Sequence, residues 1–152
     1  MTHPHRSVGR RATAALLSVT MGLGLASCRI PADPDGTTEK VSGGSLAVGA
    51  LMRPLDGADA EAVRRIAAAL NAELRLVEGD PHSLFAMLER GEIDLVAGRL
   101  PADTPFAAEV GLSKAIGKLE GHEKKKDRVL ALRRGENRFL GRVNAAVRGM
   151  AE

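Results

Sequence analysis

The chain of 152 residues has no tryptophan, no tyrosine and only three phenylalanines. Its core must be built from Leu, Val, Ile and Ala. Stacking on bases or sugar rings is almost unavailable, which argues against binding of single-stranded nucleic acid or carbohydrate. Cysteine is limited to Cys28. No disulfide can form within the chain, and a catalytic or metal role for Cys28 would need partners the sequence does not supply. No HExxH spacing, phosphate-binding glycine loop or nucleophile–base set occurs in the body of the chain. His82 and His122 are isolated, and Glu92 and Asp94 in "GEID" read as structural acids of a turn. Hence no metal, no cofactor and no catalytic residues are expected.

The body also lacks an excess of either charge. The formal charge of +3 comes from Arg6, Arg10 and Arg11 in the first 27 residues, and residues 28–152 carry 19 basic and 19 acidic residues. Nucleic acid is therefore not an expected partner. The balance is uneven along the chain. Residues 29–113 are net −6 and residues 114–148 net +7, the latter including Lys124, Lys125 and Lys126. Behind a secretion signal, this lysine run reads as a solvated loop.

Such a signal is present at the N-terminus. A basic segment ending at Arg11 precedes an apolar run from Ala12 to Ala26, too short and Gly-rich for a comfortable membrane span. It ends in "LASC", Leu25 to Cys28, which resembles the bacterial lipobox. That motif implies small residues at which a peptidase closes on the backbone, and a thiol that carries the diacylglyceryl group. Residues 1–27 are expected to be a lipoprotein signal peptide, with Cys28 lipidated on the periplasmic side of a bacterial membrane. Residues 28–44, rich in Pro, Gly, Asp, Thr and Ser, read as a flexible tether.

From Ser45 the pattern becomes regular. "SLAVGA" is a short apolar run suited to a buried strand. Ala62, Val63, Ile66, Ala67 and Leu70 recur at helical spacing. "ELRLV", Glu73 to Val77, alternates as a strand does. Leu84, Phe85 and Leu88 share a helical face that Gly91 ends. "IDLVAG", Ile93 to Gly98, is a further buried strand. Strand, helix, strand, helix, strand predicts an α/β fold with a parallel sheet, right-handed crossovers and helices on both faces.

The ordered motifs "SLAVGALMRP", "IAAALNAEL" and "LFAMLERGEIDLVAG" resemble the first lobe of a bacterial extracellular solute-binding protein of family 3. This is a type II periplasmic binding protein of the kind that serves ABC importers of polar amino acids. The similarity runs from Ser45 to "GLSKAIG" at Gly117, and resumes in "RVLALRRGENRFLGRVNAAVRGMAE", which is similar to the family's last strand and helix. Where the family has a whole second domain, this chain has the fourteen residues "KAIGKLEGHEKKKD". The resemblance therefore implies a single lobe over residues 45–150, with loop 115–127 in place of the second. A domain of this size can fold alone.

Open α/β sheets take ligands beyond the C-terminal ends of their strands. Here those ends are Leu51–Asp56, Glu78–His82 and Arg99–Pro105. Arg53 and Arg99 are candidates for an anionic group of a small polar solute, with Thr104 beside them. The family's Thr-x-x-Arg element, whose arginine takes the ligand's α-carboxylate, falls on Thr104-Pro105-Phe106-Ala107, so Ala107 replaces the arginine. The aromatic that follows the "SKP" segment in the family is lost too, since Ser113-Lys114 continues into Ala115-Ile116. One lobe offers an open shelf where ligand pockets normally enclose most of their ligand. The expected function is a membrane-tethered, solute-binding-protein-like lipoprotein linked to an ABC permease, with weak or lost amino-acid binding. The alternative is a non-transport module that docks another envelope protein, through an apolar patch at Ile116 and Leu119.

Overall fold

The computed structural model describes residues 32–120 and 124–151. The leader and Cys28, with the lipidation expected there, lie outside the described residues, as does His122. No helix among the described residues is long and apolar enough to cross a membrane.

The elements run in chain order as α1 (Thr37–Val41), β1 (Ser45–Ala50), α2 (Gly57–Ala69), β2 (Glu73–Glu78), α3 (Pro81–Glu89) and β3 (Leu95–Pro101). They continue as β4 (Val110–Leu112), β5 (Gly117–Leu119), β6 (Lys126–Arg133) and α4 (Asn137–Ala146). One six-stranded sheet has the order β2-β1-β3-β6-β4, with β5 also on β6. The alternation read from the sequence yields the parallel set β2-β1-β3. β6 runs antiparallel to β3, and β4 and β5 run antiparallel to β6. Five strands thus share one direction and β6 alone is reversed.

Each strand divides its side chains between two cores, as period-2 alternation requires. Leu46, Val48, Leu95, Ala97, Leu130 and Leu132 meet Val41 of α1, Val63 and Ile66 of α2 and Phe139 and Val143 of α4. Ala47, Val96, Val129 and Ala131 face the other way, onto Leu84, Phe85 and Leu88 of α3. The register slips between Val96 and Leu100, where Gly98 and Arg99 have φ of 129° and 56°. The slip is of two residues, so Leu100 stays on the α3 side with Val96.

Local chemistry sets the helix ends. The Asp80 side chain accepts the Ser83 N–H and Pro81 stands at the first helical position of α3. Asn71, at φ 50°, turns the chain left-handed just after α2. At the foot of β3, the Asp94 carboxylate accepts the Ala47 N–H at 2.8 Å, and Lys40 Nζ lies 3.6 Å from its other oxygen. Glu92 instead pairs with Arg90 at the surface. "GEID" thus makes one internal tie and one external one.

Two expectations need correction. Residues 33–44 are not a free tether. They form α1, with Thr37, Thr38 and Val41 buried. α1 is held by two carboxylates that also sit at the head of α4. Asp33 accepts the N–H groups of Thr38 and Phe139, at 3.0 and 2.9 Å. Glu136, only 2% exposed, accepts those of Asp35 and Thr37, each at 3.0 Å. Two helix starts, both positive dipole ends, face each other across two acids, whose negative charge suits them. Loop 115–127 is likewise partly regular. Gly117, Lys118 and Leu119 stand in register with Arg128, Asp127 and Lys126 as the rungs of a hairpin.

Candidate functional site

The C-terminal ends of β1, β2 and β3 form the edge where an open sheet of this kind takes a ligand. A shallow crevice of about 410 Å³ opens there, lined by Ala50, Leu51, Met52, Arg53, Glu78 and Gly79. Leu51 continues β1 by donating its N–H to Ala97 O, at 2.9 Å. The chain then turns away through a cis Arg53–Pro54 bond. Arg53 lies across the crevice mouth with Nη1 2.5 Å from Glu78 Oε1, both side chains exposed.

Arg99 occupies the β3 bulge. Its N–H is donated to Asp59 Oδ2 at 2.7 Å, and its Nη1 lies 3.1 Å from Asp56 Oδ2. The same two aspartates receive Arg128 Nη2 from the start of β6. Asp56 is the N-cap residue of α2, yet its side chain makes no cap bond, being turned to the arginines. The Arg128 bond, opposed by burial and aided by Arg128's charge and by Arg99, holds the Asp56 carboxyl below its ordinary pKa. Burial would depress the Arg128 guanidinium, but its bonds to Asp59 and Asp56 outweigh that and raise it. Two acids and two guanidiniums therefore form one neutral cluster at this edge.

The three proposed ligand-binding residues are thus placed in different settings. Arg53 and Arg99 hold separate carboxylates of the chain itself. Thr104 is buried, 5% exposed, and belongs to the turn after β3. Its N–H goes to Pro101 O, and its carbonyl accepts the Ala107 N–H. The Asp56–Asp59–Arg99–Arg128 cluster was not anticipated. Its members lie up to 72 residues apart, and no local pattern marks them.

A larger cavity, of about 630 Å³, lies on the α3 face between that helix and the 102–109 crossover. Phe85 and Phe106 stack there with centroids 3.9 Å apart, and His82 meets Phe106 edge-on at 5.5 Å. Glu89, Glu109, Arg133 and Arg134 complete its rim. It runs from His82, at the ligand edge, to Val110 and Arg133, which pair at the opposite end of the sheet. Two of the three phenylalanines are spent here. The Ile116–Leu119 patch is not found as expected, because Ile116 is 1% exposed and belongs to the core. Among the described residues, no group of three or more His, Cys, Asp or Glu is placed to hold a metal ion.

The architecture is that of one lobe of a periplasmic-binding-protein fold. No protein-family model matches the chain, and no curated protein does. Solved structures do match. A point mutant of arginine-bound domain 1 from TmArgBP is 22% identical with a TM-score of 0.64, over 74% of this chain and 95% of that one. The L-cystine solute receptor of Neisseria gonorrhoeae, in its unliganded open conformation, is 13% identical with a TM-score of 0.60, over 73% and 89%. An amino acid ABC transporter substrate-binding protein from Streptococcus pneumoniae, bound to L-arginine, is 10% identical with a TM-score of 0.63, over 73% and 90%.

Proposed function

We propose that the chain is a solute-binding-protein-like lobe of the bacterial cell envelope, tethered through a lipidated Cys28 and allied to an ABC importer. Its affinity for free amino acids is weak or lost. The observation that carries this reading is the state of the ligand edge. Arg53 and Arg99, the cations there that could take a carboxylate, are engaged by Glu78 and Asp56, and Ala107 stands where the resembling family has its carboxylate-binding arginine. A ligand would have to displace an internal acid to gain either guanidinium. Isothermal titration of the mature chain with a panel of amino acids tests the reading: heats too small to fit are expected, and a low-micromolar constant overturns weak binding. The anchor is tested separately by the mass of the membrane-extracted N-terminus, where an unmodified Cys28 overturns it.

A second reading, an envelope docking module built on the lobe, is favoured by the Phe85–Phe106 cavity. That cavity extends from the ligand edge to the far end of the sheet. Pull-down from membranes, comparing the native chain with Phe106→Asp, separates the two readings. A permease recovered equally by both supports the importer, and an envelope protein lost with the variant supports docking.

A further inference from the structure

β2 ends the sheet and is bonded only to β1. The Glu73 N–H is donated inward, to Gly44 O at 2.8 Å. Backbone groups alternate in direction along a strand. Glu73, Arg75 and Val77 therefore turn theirs toward β1, while Leu74 and Leu76 turn theirs outward. Leu74, at 38%, is also the one exposed large apolar side chain among the described residues. With Leu76, Val63, Leu55 and Pro54 it lines an open groove of about 490 Å³ between α2 and this edge. An open edge bearing an exposed leucine is a surface that proteins ordinarily protect.

The sequence of β2 identifies what fits that edge. Two-fold antiparallel registers of the strand with a copy of itself centre on Leu74, Arg75, Leu76 or Val77, the last setting Leu76 against Glu78. Centred on Arg75, the pairing sets arginine against arginine, which is unfavourable. Centred on Leu76, it sets Leu74 against Glu78. Centred on Leu74, it sets the two leucines together on the groove side. On the other side it places each Glu73 opposite the partner copy's arginine at position 75. Only this register forms two opposite-charge pairs, and its central residue has both backbone groups free to bond its counterpart.

We propose that the protein forms a two-fold dimer through antiparallel β2–β2 pairing centred on Leu74, joining the two sheets into one. The interface is isologous and closes on itself. The inference does not depend on the solute-binding reading.

Sedimentation equilibrium of the mature chain, carried into the high-micromolar range, should show a monomer–dimer equilibrium. Glu73 and Arg75 are exposed, so exchanging their charges should leave the fold intact by circular dichroism. E73R or R75E alone sets like charges together at both symmetry-related positions and should weaken dimerisation about ten-fold. The E73R/R75E double variant should restore it. In a Cys28→Ser background, L74C should cross-link on mild oxidation, because paired Cα atoms about 5.5 Å apart suit a disulfide. R75C should cross-link far less. A chain that stays monomeric throughout overturns the proposal. So does a dimer that ignores the charge exchange, or one that cross-links through R75C in preference to L74C.

Discussion

Arg128, at the head of β6, bonds Asp59, a carboxylate with 0% exposure in the first turn of α2, across 69 residues of sequence. This contact fastens the returning strand to the helix that follows β1. Removing one partner of a buried pair leaves a charge with no compensation, at a cost of about 3–5 kcal/mol. Arg128→Met is expected to lower the stability measured by urea denaturation by that order. The Arg128→Met/Asp59→Leu double variant should be less destabilised than the single one. Equal losses would show that the pair does not act as a unit.

Acid should loosen the N-terminal arm. Burial would raise the Glu136 pKa, but the bonds from Thr37 and Asp35 outweigh it and hold the carboxyl below its ordinary value of 4.5. Asp33 is lowered in the same way, burial being outweighed by Thr38 and by the Phe139 N–H. A depressed folded-state pKa contributes stability that is fully present above the unfolded value and is lost as pH falls toward the folded one. Amide exchange at Asp35, Thr37 and Thr38, corrected for intrinsic rates, should accelerate as pH falls below about 4.5, before global unfolding. Glu136→Gln should show weak protection there already at neutral pH. Uniform protection across both pH values would contradict this.

The bulge in β3 leaves no space for a side chain at Gly98. A Cβ there would lie 2.8 Å from Leu51 Cβ and 3.0 Å from Leu51 N, at a φ of 129°. Gly98→Ala should destabilise by about 1–3 kcal/mol, because the obstruction is backbone and cannot swing aside. A thermal midpoint equal to that of the parent chain would show that the bulge yields.

The lysine run should matter little to stability. Lys125 lies 3.2 Å from Glu120 and Lys126 2.6 Å from Asp103, all on exposed side chains. Exposed pairs contribute about 0–1 kcal/mol. Replacing Lys124, Lys125 and Lys126 with alanine should shift the denaturation midpoint only slightly. A large loss would give the hairpin a structural weight its geometry does not suggest.

The sequence made the repetitive parts of the fold legible. β1 falls on "SLAVGA", and α2 and α3 follow the apolar spacings of Ala62–Leu70 and Leu84–Leu88, because burial on one face writes itself into local periodicity. β3 begins at Leu95, later than the expected Ile93, although the Asp94 N–H already bonds Ala47 O of β1. α1 was not legible. Its five residues have no apolar period, and the acid Glu136 that steadies Thr37 lies 99 residues away. The edge cluster was hidden for the same reason. Arg99 reads from the sequence as a candidate for an anionic ligand group, but its partner Asp56 is brought to it only by packing α2 against the sheet.

The β5–β6 hairpin has a consequence for how such a chain can change length. Leu119 and Lys126 stand as partners on its last rung, and just beyond it Glu120 and Lys125 pair with each other through exposed side chains. The rung fixes the separation of the two chain ends and is indifferent to what joins them. Any inserted unit whose own termini lie one strand spacing apart could be accepted there without disturbing either core.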